Sequence, residues 1–245
     1  FMKRSVKYLG HMVDSNGIHT DKDKTSAIQN WPTPENHKQL HTFMGLCNYY
    51  RRFVRDYAKV VQPLQNLLNK CNNDKKLWNW TAAEENCFND IKKPLTSSPC
   101  LCYPTLEGVF VLDTDASNDC IGSVLSQIQN GVERVIAYAS NTLSVAEKNY
   151  SVTKRELLAV YKYIMHFRHY LYGKRFILRT DHQAITWLLG EKKHKSGQYN
   201  RWIAELENFD MEVKHRDGVK HTNADALSRR YTVTTPSEEC TQGLN

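Results

Sequence analysis

The sequence predicts an α/β fold: one mixed sheet with flanking helices, preceded by a mainly helical domain. Three observations carry this. Apolar residues recur at helical spacing through most of residues 20 to 97. Strand-like apolar runs begin only at Val109. From there the order is three strands, helix, strand, helices, strand, helix, which suits a single sheet covered by helices.

Residues 1 to about 19 alternate in the manner of a β-hairpin, with "SNG" (Ser15 to Gly17) as its turn. "DKDKTSAIQNW" reads as a short helix stopped by Pro32 and Pro34. From about Glu35 to Tyr57, Leu40, Phe43, Met44, Cys47, Tyr50 and Val54 trace one long amphipathic helix, with Arg51, Arg52 and Arg55 near its end. Leu64, Leu67 and Leu68 mark a shorter helix, and Thr81 with Glu84 forms a capping box opening the next. Beyond a boundary near Ser97 to Pro104, strands are expected at Val109 to Thr114, Ile121 to Gln127 and Val132 to Ala139. A long helix follows from about Thr153 to Leu171, then the strand "RFILRTD" and the short helix "HQAITWLL". "QYNRWIAELENF" is helical, "DMEVKHR" a strand and "TNADALSRR" a last helix, before a polar tail. The expected units are residues 1–19, 20–100, 101–230 and 231–245.

The 245-residue chain is 40% hydrophobic and 24% charged, ordinary for a globular protein. It has no run of about 18 apolar residues, so no membrane partner is expected. Its start has neither the apolar core nor the cleavage site of a signal peptide, and it reads as a fragment that begins mid-chain. A net charge of +7 favours a polyanionic partner, although many proteins are mildly basic. Seven cysteines, none in a C-x-x-C pair, argue against a zinc site and for reduced intracellular thiols.

Acids sit at element ends in the second domain. In "GVFVLDTDASND" an apolar strand closes on Asp113 and Asp115, which share one face. Glu156 falls in the first turn of the long helix, Asp181 ends the fourth strand, and Asp225 lies in the last helix. Carboxylates converging there would repel unless cations joined them, and hard divalent ions suit carboxylate oxygen. Each acid also has a purely structural reading. Asp113 and Asp115 suit a turn, Glu156 a capping box with Thr153, Asp181 an N-cap, and Asp225 a helix dipole.

Together the phrases around these acids carry a resemblance. "YLGHMVDSNGI", "WPTP", "FMGLCNYYRRFVRDYAKVVQPL", "VLDTDASNDCIGSVLSQ", "AYASNTLSVAEKNYSVTKRELLAV", "RHYLYGKRFILRTDHQAITWL", "RWIAELENFDMEVKHRDG" and "HTNADALSR" run in order from about residue 6 to 230. The chain thereby resembles the pol polyprotein of gypsy-type LTR retrotransposons, from the end of the reverse transcriptase palm through the thumb and the ribonuclease H domain.

The resemblance implies a ribonuclease H-like mixed five-stranded sheet and a D-E-D-D metal site. "TDAS" supplies Asp115, "KREL" Glu156, "RTDH" Asp181 and "NADALSR" Asp225. These would hold two Mg²⁺ ions, with Mn²⁺ as a substitute, and hydrolyse the RNA strand of an RNA–DNA hybrid. Asp113 falls outside the catalytic position. His215, ten residues before Asp225, has the spacing of the family's mobile catalytic His, and reads equally well as an exposed strand-end residue. "KYLGH" matches the primer-grip hairpin, making Lys7, Tyr8 and His11 candidate nucleic-acid contacts; Arg51, Arg52, Arg55 and Arg216 join them. A solvated basic helix end explains the first three arginines as well. Tyr49, Tyr50 and Phe53 read as core. Implied partners are the hybrid, the template-primer duplex and the upstream fingers and palm of the same polyprotein, in cytoplasmic virus-like particles with nuclear entry open. The Y-x-D-D polymerase motif is absent from the chain, so no polymerisation is expected of it alone. A non-catalytic nucleic-acid-binding or interaction module, from a decayed or host-recruited element, is the alternative. A transposase or integrase would place its Glu last, and here the Glu comes second.

Overall fold

A computed structural model describes residues 3–97, 100–190 and 199–216. The N-terminus is a three-stranded antiparallel sheet in the order β1 (Ser5–Tyr8), β2 (His11–Asp14), β3 (Ile18–Thr20). "SNG" does turn β2 into β3. A second turn at Leu9 and Gly10, both at positive φ (44° and 69°), makes a further strand out of what reads as one arm of a hairpin. At Gly17 (φ 150°) an added Cβ would lie 2.2 Å from the carbonyl oxygen of Leu101, so only glycine lets the two backbones meet. There Ile18 and Leu101 exchange both backbone hydrogen bonds, at 2.8 and 2.9 Å.

The helices follow as α1 (Lys22–Gln29), α2 (His37–Tyr49), α3 (Tyr57–Val60), α4 (Gln62–Asn73) and α5 (Ala82–Thr96). Asn36 caps α2 by accepting from the Gln39 amide, and Thr81 with Glu84 forms the expected capping box of α5. The single helix expected from Glu35 to Tyr57 is instead broken. After Tyr49 the chain passes through a 3₁₀ turn (Arg51–Phe53), and Asp56 sits in the left-handed region at φ 51°. The apolar spacing survives because Tyr50, Phe53 and Val54 still point inward, buried beside Leu40, Phe43 and Leu64. Each such side chain, fully buried, contributes roughly 1.5–3 kcal/mol.

The second unit is a five-stranded sheet in the order β6-β5-β4-β7-β8. Its strands are β4 (Val109–Ala116), β5 (Cys120–Gln129), β6 (Val132–Thr142), β7 (Phe176–Thr180) and β8 (Met211–His215). The first three are antiparallel neighbours; β7 pairs parallel with both β4 and β8. Between β6 and β7 run α6 (Val145–Lys148), α7 (Val152–His166) and α8 (Arg168–Leu171). The long helix expected to reach Leu171 is interrupted at Phe167, which caps α7. Between β7 and β8 run α9 (Gln183–Gly190) and α10 (Asn200–Leu206).

The sheet separates two cores. Leu125 packs with Leu157, Val160 and Ile164 of α7, whereas its neighbour Val124 packs with Tyr138 and Val135 against the helical unit. Adjacent strand residues face opposite ways, so α7 covers one face and the helical unit covers the other over β5 and β6. The Ala58 amide donates to Ser140 Oγ at 2.8 Å across that second contact. The six described cysteines are free thiols, and no described helix is long and apolar enough to cross a membrane.

Candidate active site

Parallel pairing of β4 with β7 builds the site. Leu112 lies opposite Leu178 and Asp113 opposite Arg179, so two residues further on Asp115 and Asp181 reach the same sheet edge. Helix α7 brings Glu156 to that edge while its apolar side packs on the sheet. One carboxylate oxygen from each of Asp115, Glu156 and Asp181 lies within 4.8 Å of the others. Asp225 and the helix expected around it lie outside the described residues.

The structural alternative for Glu156 is displaced. Ser151 caps α7 by accepting from the Lys154 amide, so Thr153 opens no capping box and Glu156 sits in the second turn. Glu156 is only 4% exposed, and its Oε2 has no hydrogen-bond partner. Burial, then the charges of Asp115 and Asp181, push its carboxyl up to about 8, against a smaller opposing pull from the Ala116 amide. A buried, unpartnered oxygen facing two further carboxylates suits a hard divalent cation, which would satisfy the oxygen and cancel the repulsion.

Asp113, also buried, has a different fate. Arg179 approaches it at 3.6 Å and Arg216 at 3.4 Å, while Arg179 also binds Glu133 at 2.7 Å. These charges form a chain across the sheet face, and Arg216, expected to contact nucleic acid, is engaged in it. His215 sits beside the acids, its Nε2 at 3.0 Å from the Asp181 carbonyl oxygen. The sequence reading missed Arg179, Glu133, Thr153 and His182. Thr153 Oγ1 and His182 Nε2 are 2.9 Å apart. The signal available was proximity: His182 follows Asp181, and Thr153 precedes Glu156 by about one helical turn.

The other candidate contacts lie in the N-terminal unit. Lys7 is ion-paired with Asp21 (2.7 Å) and Asp23 (2.8 Å). Tyr8 is exposed. His11 is packed among Tyr49, Tyr50 and Phe53, with its Nδ1 at 3.0 Å from the Leu9 carbonyl. Tyr50 and Phe53 are core; Tyr49 is half exposed and donates its hydroxyl to the Leu9 carbonyl. Arg51 is exposed in the 3₁₀ turn, Arg52 is half-buried, and Arg55 lies 3.6 Å from Asp56.

Fold and site together define a class. The family described as the RNase H-like domain found in reverse transcriptase matches residues 105–209. The fold agrees with a foamy viral protease-reverse transcriptase in complex with RNA/DNA hybrid (TM-score 0.72, 19% identity, 99% of this chain and 32% of that one). It agrees equally with a foamy viral protease-reverse transcriptase in complex with double-stranded DNA (TM-score 0.73, 21% identity, 89% of this chain and 46% of that one). Residues 105–209 are therefore an RNase H-like domain of the reverse transcriptase type.

The chain that carries it is similar to Pol polyproteins of retrotransposons. It is 39% identical over 239 residues to the retrovirus-related Pol polyprotein from transposon opus of Drosophila melanogaster, covering 94% of this chain and 24% of that protein. It is 33% identical over 240 residues to the transposon Tf2-3 polyprotein of Schizosaccharomyces pombe, covering 96% and 18%. The chain spans about a quarter or less of the length of these relatives.

Proposed function

We propose that this chain supplies the ribonuclease H activity of a retrotransposon reverse transcriptase, hydrolysing the RNA strand of an RNA–DNA hybrid. The observation that carries this reading is the convergence of Asp115, Glu156 and Asp181 from three separate elements, with one Glu156 oxygen buried and unpartnered. Asp225 is assigned as the fourth acid. These carboxylates would hold Mg²⁺, two ions in the full reading. Bound there, divalent cations supply an activated water and charge stabilisation at the leaving oxygen.

The chain's own residues do the rest. The raised carboxyl of Glu156 gives up its proton as the site fills, turning a repelling cluster into a ligand set. Asp113, neutralised by Arg179 and Arg216, takes no part in metal binding and fixes β4 against β7. His215, exposed at the rim, is assigned to carry a proton from the reacting oxygens. Exposed Tyr8 and Arg51, with Lys7, His11, Arg52, Arg55 and Arg216, are assigned to the duplex backbone. Solved relatives of the same fold in complex with hybrid and with duplex DNA support such partners. Selectivity for a hybrid would rest on groove shape and the 2′-hydroxyls of one strand.

The test is Asp181→Asn, which keeps side-chain shape and removes a ligand charge. Mg²⁺-dependent cleavage of a labelled hybrid should fall by orders of magnitude, with the thermal melt and hybrid affinity retained. An equal cleavage rate removes Asp181 from the site. An inert parent chain favours the non-catalytic binding module.

A further inference from the structure

We propose that His182 and Thr153 form a tether that holds the Asp181 strand end against the Glu156 helix, making His182 a positioning residue for the metal site. The inference rests on the ribonuclease H reading and deepens it.

Asp181 occupies the junction between β7 and α9, so its carboxylate goes where the backbone of residues 180 to 182 goes. Several bonds fix that backbone to its own side of the sheet. The Arg216 amide donates to the Thr180 carbonyl at 2.9 Å, and His215 Nε2 reaches the Asp181 carbonyl at 3.0 Å. The His182 amide donates to Thr180 Oγ1 at 3.2 Å, and the Ile185 amide to the His182 carbonyl at 2.9 Å. None of these four bonds reaches α7, which carries Glu156. The imidazole of His182 does, through Thr153 Oγ1 at 2.9 Å.

Thr153 stands three residues before Glu156, on the same side of the helix. Its hydroxyl both donates and accepts, so it can pair with His182 Nε2 whether or not that nitrogen carries a proton. The tether therefore needs no particular tautomer. It matters because one carboxylate oxygen each of Asp115, Glu156 and Asp181 lies within 4.8 Å of the others, and carboxylates ionised that close together repel until a cation joins them. Without a restraint, β7 and α7 would spread at this edge, and binding a cation would have to draw them back. A tether outside the ligand set removes that reorganisation.

The experiment uses the 245-residue chain and four relatives: His182→Ala, Thr153→Val, the double variant and Thr153→Ser. Mn²⁺ affinity is measured by calorimetry, beside thermal melts and hybrid cleavage over a range of Mg²⁺. Losing a bond that orients a ligand costs about 10- to 100-fold in metal affinity or activity. Both single variants should thus bind Mn²⁺ at least about tenfold more weakly. Cleavage kcat should fall at limiting Mg²⁺ and recover in excess, with hybrid KM unchanged. The double variant should be no worse than either single one, because both remove the same bond. Thr153→Ser should behave as the parent.

Parent-like Mn²⁺ affinity in either single variant, or losses that add in the double variant, overturns the tether. Should His182→Ala fail to fold, Thr153→Val against Thr153→Ser decides alone. A parent that binds Mn²⁺ but cuts no hybrid defeats the functional reading, while the affinity series still decides the tether. A parent that binds no Mn²⁺ defeats both.

Discussion

Two buried carboxylates, one in each unit, are treated in opposite ways. Asp21, 2% exposed at the start of α1, is met by Lys7 at 2.7 Å, and that hydrogen bond holds its carboxyl below the usual range. Glu156, 4% exposed, faces two more acids and is pushed up to about 8. The contrast extends to the units around them. Among the described residues, the buried polar or charged side chains of the N-terminal half are Asp21 and Thr25; the sheet unit holds eight, among them Asp113, Lys154 and Glu156. The helical half buries apolar surface and neutralises the charge it cannot avoid. The sheet half gathers three carboxylates at one edge, where the strands end. That is the pattern expected when a scaffold carries a site that favours a ligand over its own stability.

Disrupting the apolar half should give the largest effect on stability. Phe88 is buried against Phe43, ring centroids 4.7 Å apart, and Phe88→Ala should cost about 3–5 kcal/mol in urea unfolding. A loss under about 1 kcal/mol would mean that this core is loosely packed.

The two carboxylates should answer neutralisation with opposite signs. Glu156 has a raised carboxyl, so the stability it lends is complete below the unfolded value near 4.5 and is lost as pH rises through about 8. Glu156→Gln should therefore stabilise the metal-free chain at pH 8 by on the order of a few kcal/mol, and hardly at all at pH 4. Asp21 has a lowered carboxyl, so its contribution is present above the unfolded value near 3.8 and is lost in acid. Asp21→Asn keeps the helix cap but loses the charge, and should cost about 1 kcal/mol at neutral pH, discounted because Lys7 is half exposed. Melts of both variants from pH 4 to 9 check the signs. The same sign for both would remove the contrast.

The smallest effect belongs to Arg51. If it contacts phosphate, Arg51→Ala should weaken hybrid and duplex binding about equally and lower the slope of log affinity against log salt by about one. An unchanged slope would return Arg51 to the solvated surface.

Much of this was legible along the chain. Period-2 alternation put Asp113 and Asp115 on one face of β4, and the strand-end position of Asp181 could be read from "RFILRTD". The capping box at Thr81 was local and therefore visible. The break after Tyr49 was hidden because the 3₁₀ turn keeps Phe53 and Val54 facing the same core as the helix before it. The Leu9–Gly10 turn was hidden because Leu9 is an unusual residue at positive φ. The separation of Asp113 from Asp115 was not legible either. It depends on Arg179 and Arg216, 66 and 103 residues further along, which reach Asp113 only once β7 and β8 have paired. The Thr153–His182 contact likewise joins two elements that only the parallel sheet brings together.

The central claim is that Asp115, Glu156 and Asp181 form one charged cluster awaiting a cation. The most direct measurement is the melting temperature of the chain at pH 8 and at pH 5, with and without millimolar Mg²⁺. A cation that binds only the native state raises its stability by mass action. The account predicts a clear rise at pH 8, where Glu156, with its carboxyl raised to about 8, has already given up a large part of its proton, and a much smaller one at pH 5, where Glu156 keeps its proton. It also predicts no rise at either pH after Asp115→Asn is combined with Asp181→Asn. A parent whose melting temperature ignores Mg²⁺ at pH 8, or a rise that survives in the double variant, would contradict it.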